Sequence, residues 1–180
     1  MAGKPLSFDP IAEARRQWES HWGQEPAPAM AAVTSIMRCQ QILIAGLNEL
    51  LLPFELTFAR YEVLMLLYLS RRGSLPLGKI GERLQVHRTS VTGLVDRLEA
   101  QGLARRLAHE SDRRKTLAEI TAAGRKTAQR ATAVLNRERF AVPDCSDASL
   151  EEIVCLLGQL RLAAGDFEPE GGAYRKRTPR

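Results

Sequence analysis

The stretch LGKIGERLQVHRTSVTGLVD, Leu77 to Asp96, decides the fold. Its apolar residues fall at Ile80, Leu84, Val86, Val91 and Leu94, the spacing two short helices need to close a core between them. Gly81 stands where the helices cross, and a residue without a Cβ lets the second helix come close. Polar and basic side chains occupy the first turn of that second helix. The pattern is a helix-turn-helix. On its C-terminal side, Gly102 reads as a left-handed cap. Leu103 to His109 and Lys115 to Ile120 then read as short strands around Glu110-Ser111-Asp112-Arg113-Arg114, a loop too polar and too short to be anything but an exposed tip. A helix-turn-helix followed at once by an arginine-tipped hairpin is a winged DNA-binding module.

On the N-terminal side, Thr57 caps a helix from Phe58 to Ser70, with Tyr61, Leu64, Met65 and Tyr68 facing the core, and Ser74 to Pro76 is an extended connector. From Ala29 to Leu52 the pattern is helical over six turns. One apolar line runs through Val33, Ile36, Leu43, Leu47 and Leu50, and a second through Met30, Met37, Ile44 and Leu51. A helix apolar on two faces must be covered on two sides, once by its own subunit and once by a second one. Asp9 and Pro10 open an earlier helix that runs to Trp22 and ends at Gly23. Thr121 opens a helix to about Phe140, broken by Pro143. Ser146 caps a last helix striped with Leu150, Ile153, Val154, Leu157 and Leu160. The expected class is mostly α with a small β-wing: a winged helix-turn-helix domain with N- and C-terminal dimerisation helices. Residues 1–28 form an N-terminal extension, 29–164 the domain with its DNA-binding core at 57–120, and 165–180 a disordered basic tail.

Charge follows the same geography. The 180 residues carry a net +5, but Arg71 through Lys115 holds eleven Lys and Arg against five acids, an excess of six, so the remainder is close to neutral. Positive charge gathered on one module points to a polyanion partner. Three cysteines with no Cys-x-x-Cys pair indicate neither a disulfide framework nor a zinc site. No signal peptide core is present, and no run approaches the ~18 apolar residues that span a bilayer. The reading is a soluble cytoplasmic protein that makes no use of a membrane. No Gly-rich phosphate loop, metal-ligand cluster or nucleophile beside a histidine suggests an enzyme, a cofactor or a metal.

The order helix, helix, helix-turn-helix, wing, long helix, helix resembles the MarR family of bacterial transcription regulators over roughly Ala29 to Ala164. In DRRKTLAEITAAG, the residues Asp112, Arg114, Ile120, Thr121 and Gly124 fall on the family's wing signature, and LVDRLEAQGL, Leu94 to Leu103, resembles the end of its recognition helix. Gln85 departs from the glycine that many such turns carry. The resemblance implies a homodimer with intertwined first and last helices, and two recognition helices entering successive major grooves of a pseudo-palindromic double-stranded DNA operator. It also implies a repressor released by a small-molecule effector. The unspent apolar surface at both ends of the chain independently favours a symmetric dimer, which puts half-sites about one helical turn, roughly 10 bp, apart.

The first turn of the second helix faces base edges, so Arg88, Thr89, Ser90 and Thr92 are candidate readers, with His87 at the helix mouth. For Thr89 and Ser90 the competing role is helix capping. Arg113 at the tip is free to enter a minor groove, whereas Arg114 has the alternative of pairing with Asp112. Arg97, Arg105 and Arg106 either clamp phosphates or form surface ion pairs with Asp96 or Glu99.

Trp18 and Trp22 lie on one face of the extra helix, with Arg15 and His21 nearby. Packing that helix onto the body is their ordinary role. The family's effectors, small and often phenolic or otherwise amphipathic, bind between the dimerisation helices and the winged module, so these four residues, with Arg38, Tyr61, Glu62 and Met65, are the candidate pocket. A thiol-based redox sensor is the alternative function. The sensing cysteine of that branch aligns with Val33 rather than Cys39, and neighbours on a helix, such as Arg38 and Cys39, do not face each other.

Overall fold

A computed structural model describes residues 6–108, 116–142 and 144–168, and of Arg88 only the backbone. The residues up to Ala141 make one compact unit and those from Val142 a second. The first unit holds α1 (Pro10–Trp22), α2 (Ala27–Leu51), α3 (Phe58–Leu69), β1 (Ser74–Pro76), α4 (Leu77–Leu84), α5 (Arg88–Ala100), β2 (Ala104–Ala108), β3 (Thr116–Ile120) and α6 (Ala122–Arg137); the second holds α7 (Asp147–Ala163). The fold is mostly helical with one small antiparallel sheet, as the sequence implied.

The helix starts are fixed by side chains that accept from otherwise orphaned backbone N–H groups. Asp9 accepts from Ile11 N and Ala12 N, Thr57 from Arg60 N, Thr121 from Gly124 N and Ser146 from Ser149 N. α2 begins two residues earlier than its apolar pattern, because Pro28 fits the first turn of a helix. α6 ends before Pro143 can act. Arg139, Phe140 and Ala141 are left-handed, with φ of 47°, 55° and 57°, so the helix stops at Arg137; Pro143 itself lies outside the described residues.

Ser74 to Pro76 is more than a connector. It pairs antiparallel with β3, Leu75 opposite Ala118, and gives a three-stranded sheet in the order β1-β3-β2. The core joins Leu47, Leu51, Tyr61, Leu64, Leu67, Ile80, Val91, Val95, Leu98, Ala118, Ile120, Ala128 and Leu135. Val95 and Leu98 carry the buried face of α5, while Val86, in the turn, stays exposed.

Gly124 is the tightest point. A Cβ there would fall on the carbonyl of Leu103 and against Ile120, so only glycine lets α6 start flush against the base of the wing.

α2 corrects one expectation. Together with the turn after it, Ala27–Phe54, it is long and apolar enough to cross a membrane by length and composition. Counting uninterrupted apolar runs missed this, because Arg38, Gln40, Gln41 and Asn48 break the runs without making the helix polar on average. Only its C-terminal end enters the core, through Leu47 and Leu51. Val33 and Met37 are 59% and 53% exposed, and Ile36, Ile42 and Ile44 are also open. In the second unit, Ile153, Val154, Leu156, Leu157 and Leu160 are exposed along α7.

Candidate nucleic-acid interface

Two helices and a turn position the reading surface. α4 ends at Gln85, which is left-handed with φ 54°, ψ 37°, the conformation in which the turn of such motifs commonly uses glycine. Gln85 supplies it with a side chain, whose Nε2 donates to Glu82 O at 3.3 Å. The turn closes on Gly81. The Val86 N–H donates to Gly81 O at 3.1 Å, and a Cβ on Gly81 would stand 3.1 Å from Val86 O and 3.5 Å from Val91 Cγ2. α4 and α5 therefore meet with nothing between them.

The cap of α5 is His87. Its Nδ1 accepts from Thr89 N at 3.3 Å and lies 3.1 Å from Thr89 Oγ1, an arrangement that needs Nδ1 without a proton. Neither Thr89 nor Ser90 caps the helix. Both stay exposed in its first turn, beside Arg88, and Thr92 is half-buried one position past Val91. Val91, Val95 and Leu98 anchor the opposite face of the same helix in the core. One face of α5 is thus committed to packing, and the first turn of the other presents the hydroxyls of Thr89 and Ser90 to the outside.

The wing arginines divide. Arg105 lies directly across the ladder from Glu119 and pairs with it through Nε. Arg106 reaches Asp96 at 2.5 Å and Glu99 at 3.7 Å, donates to Thr92 O at 3.3 Å, and its N–H donates to Glu99 at 2.9 Å. The Arg106 side chain thereby ties the wing to α5, although its Nε, shielded from water, makes no hydrogen bond. Arg97 is exposed and has no ion-pair partner among the described residues. Arg113 and Arg114 lie outside the described residues.

The residues expected to line an effector pocket fall into separate groups of contacts, within α1, along α2 and between α3 and α6. Trp18 and Trp22 pack against each other with their rings tilted by 43°, centroids 4.5 Å apart, and Trp22 remains 65% exposed. Arg15 pairs with Glu19 at 2.9 Å, and His21 bonds within α1 to Gln17 O. Arg38 turns to Gln41 Oε1 at 3.4 Å rather than to the exposed Cys39. Tyr61 is buried, its hydroxyl 2.9 Å from Thr132 Oγ1, which also contacts the sulfur of Met65 at 3.4 Å, so these two belong to the seam between α3 and α6. Glu62 is half-buried, and burial pushes its carboxyl above the usual range. Among the described residues a cavity lies elsewhere, lined by the turn after α2, the end of α5 and α6. No apolar period in the sequence marks it, because it is assembled from three segments far apart in the sequence.

A core-anchored helix with polar and basic residues in its first turn, flanked by a two-stranded wing, defines a winged helix-turn-helix DNA-binding protein. Residues 56–116 match the family model described as "MarR family". Sco5413, a MarR family transcriptional regulator from Streptomyces coelicolor, is 47% identical; the match covers 79% of this chain and 99% of that one, with a TM-score of 0.73. The chain belongs to the MarR family of transcriptional regulators. The uncharacterized HTH-type regulator YfiV of Bacillus subtilis is 30% identical over 82 residues, 46% of this chain, which spans about half that relative's length (51%). The MepR–DNA complex of S. aureus, at 20% identity, TM-score 0.66 and 73% and 96% coverage, shares the fold.

Proposed function

We propose that this chain is a homodimeric repressor that reads a pseudo-palindromic operator and is released by a small-molecule effector, acting in the cytoplasm where the chromosome is reached. The observation that carries the reading is α5 itself: three residues of one face are locked into the core and the first turn of the other is left to solvent. His87, Arg88, Thr89, Ser90 and Thr92 form the base-facing group. Arg97 and Arg113 are the phosphate and minor-groove contacts, and Arg114 supports the wing tip. Arg105 serves DNA binding by bracing the two wing strands through Glu119, and Arg106 by holding the wing to α5; each reaches a phosphate only by giving up its carboxylate.

Dimer formation is supported by the apolar side chains along α2 and α7, which a single chain leaves in water. Burying exposed side chains of this size is worth about 1.5–3 kcal/mol each when complete, so a symmetric partner is the simplest cover. The test is selection of binding duplexes from a random pool, followed by sedimentation of the complex. The expected result is an inverted repeat with centres about 10 bp apart, bound by two chains. A single half-site bound by one chain contradicts the proposal.

A further inference from the structure

The two hydroxyl residues exposed in the first turn of α5 are not equivalent. The Nδ1 lone pair of His87 is shared by two donors, Thr89 N at 3.3 Å and Thr89 Oγ1 at 3.1 Å. The backbone N–H already requires Nδ1 to accept, so the Thr89 hydroxyl turns its single proton onto the imidazole and has none left to give. Its oxygen stands against the imidazole, and the part of this exposed side chain free to meet a new surface is the methyl group. Ser90, one residue on, is also exposed, and its hydroxyl makes no hydrogen bond among the described residues.

The Thr89 methyl is held still. Threonine in a helix divides between two χ1 rotamers, and the bond to His87 selects one. The turn beneath it is closed by Ser90 N and Val91 N, which donate to His87 O at 2.9 and 3.3 Å, and Val91 itself is fully buried.

We propose that Thr89 reads a thymine through its 5-methyl group, one in each half-site, and that His87 is the positioning residue that keeps the hydroxyl out of the contact. The assignment rests on the base-reading function proposed for α5. The major groove carries the thymine methyl as an apolar mark among hydrogen-bond donors and acceptors, and a threonine methyl is a matched contact for it. A threonine free to rotate would offer its hydroxyl to the amino groups of adenine and cytosine as well, and would discriminate little. Ser90 has no methyl and an uncommitted hydroxyl, which can donate to one base and accept from another. The cap of α5 therefore does more than start the helix: it turns an ambiguous reader into an apolar one.

The test uses the full chain and a duplex it selects from a random pool, with each thymine replaced in turn by deoxyuridine, which lacks only the methyl. Burial of one methyl is worth about fourfold in affinity when one half-site is changed and about fifteenfold when both are. The expected result is one thymine per half-site with that sensitivity. Thr89→Ser should bind the thymine and uracil duplexes alike. Thr89→Val, which keeps a methyl and has no hydroxyl, should keep the thymine-to-uracil affinity ratio. Insensitivity of the wild type to every replacement overturns the assignment, as does a ratio that persists in Thr89→Ser or is lost in Thr89→Val. The role of His87 is read from the same ratio, which a general loosening of the helix leaves unmoved because it weakens both duplexes equally. His87→Ala should bring the ratio toward one, and adding Thr89→Val should restore it. A ratio unchanged in His87→Ala overturns the positioning role. A pool that yields no preferred sequence overturns the base-reading function together with this assignment, whereas a preferred sequence without methyl sensitivity overturns this assignment alone.

Discussion

The winged module and α2 use the same kinds of side chain to opposite ends. Between Leu56 and Ile120 the large apolar residues are mostly covered: Leu64, Leu67, Ile80, Val91, Val95 and Leu98 are fully buried, and even the turn between α4 and α5 is closed by backbone contacts. Along α2 only Ala27 at the start and Leu47 and Leu51 in the last turns are buried, and Val33, Met37 and Ile42 are more than half exposed. The module is complete within one chain, whereas α2 is complete only with something against it. The difference separates two jobs, rigid presentation of a reading helix and assembly of the unit that sets where two such helices stand.

If that contrast is right, the module should be intolerant of added volume. Gly124→Ala places a Cβ on the Leu103 carbonyl and should cost at least the ~1–3 kcal/mol of ordinary overpacking, read as a large drop in melting temperature. Gly81→Ala, whose Cβ would keep 3.1 Å from Val86 O, should cost less. Reversal of that order would mean that the base of the wing is looser than the helix crossing.

Charge on α2 should act on assembly instead. Met37→Asp combined with Ile44→Asp should move the sedimenting species to a single chain while the chain still melts cooperatively, since the core lies outside these positions. Loss of folding together with association would erase the distinction between the two regions.

Smaller effects probe the module's turn and wing. Gln85→Gly relieves a left-handed residue, worth roughly 1–2 kcal/mol, against about 0.4–1 kcal/mol of added chain entropy, for a net gain between about 0 and 1.6 kcal/mol in chemical denaturation. A net loss would show that the Gln85–Glu82 bond does more than its 3.3 Å length suggests. Glu119→Gln removes a partly exposed ion pair and should change stability by about 1 kcal/mol or less. It should also free Arg105, steepening the salt dependence of DNA binding by up to about 2 in slope for two symmetric wings. An unchanged slope confines Arg105 to a structural role.

The sequence was most legible where local chemistry sets the backbone. Asp9, Thr57, Thr121 and Ser146 each cap the helix they were expected to cap, and Gly102 is left-handed, φ 70°. It was less legible where partners are distant. The pairing of Ser74–Pro76 with β3 depends on residues more than forty positions away, and no local period marks a three-residue edge strand. His87 as the cap of α5 was hidden because histidine is an uncommon cap, and capping came into view only as the competing role of its neighbours Thr89 and Ser90. Arg105 and Arg106 could not be divided between phosphate and carboxylate before the register placed Glu119 opposite Arg105. The cavity lined by the turn after α2, the end of α5 and α6 had no linear signature at all.

The central claim is that the first turn of α5 reads bases. The measurement that meets it most directly is a titration of wild type and Arg88→Ala against a selected operator and its full set of single-base variants at fixed salt. The account predicts a loss of ~1–3 kcal/mol on the operator and a flattened preference at one base pair in each half-site, with discrimination elsewhere preserved. A uniform loss across all variants, with the preference profile unchanged, would make Arg88 a phosphate contact and contradict the claim.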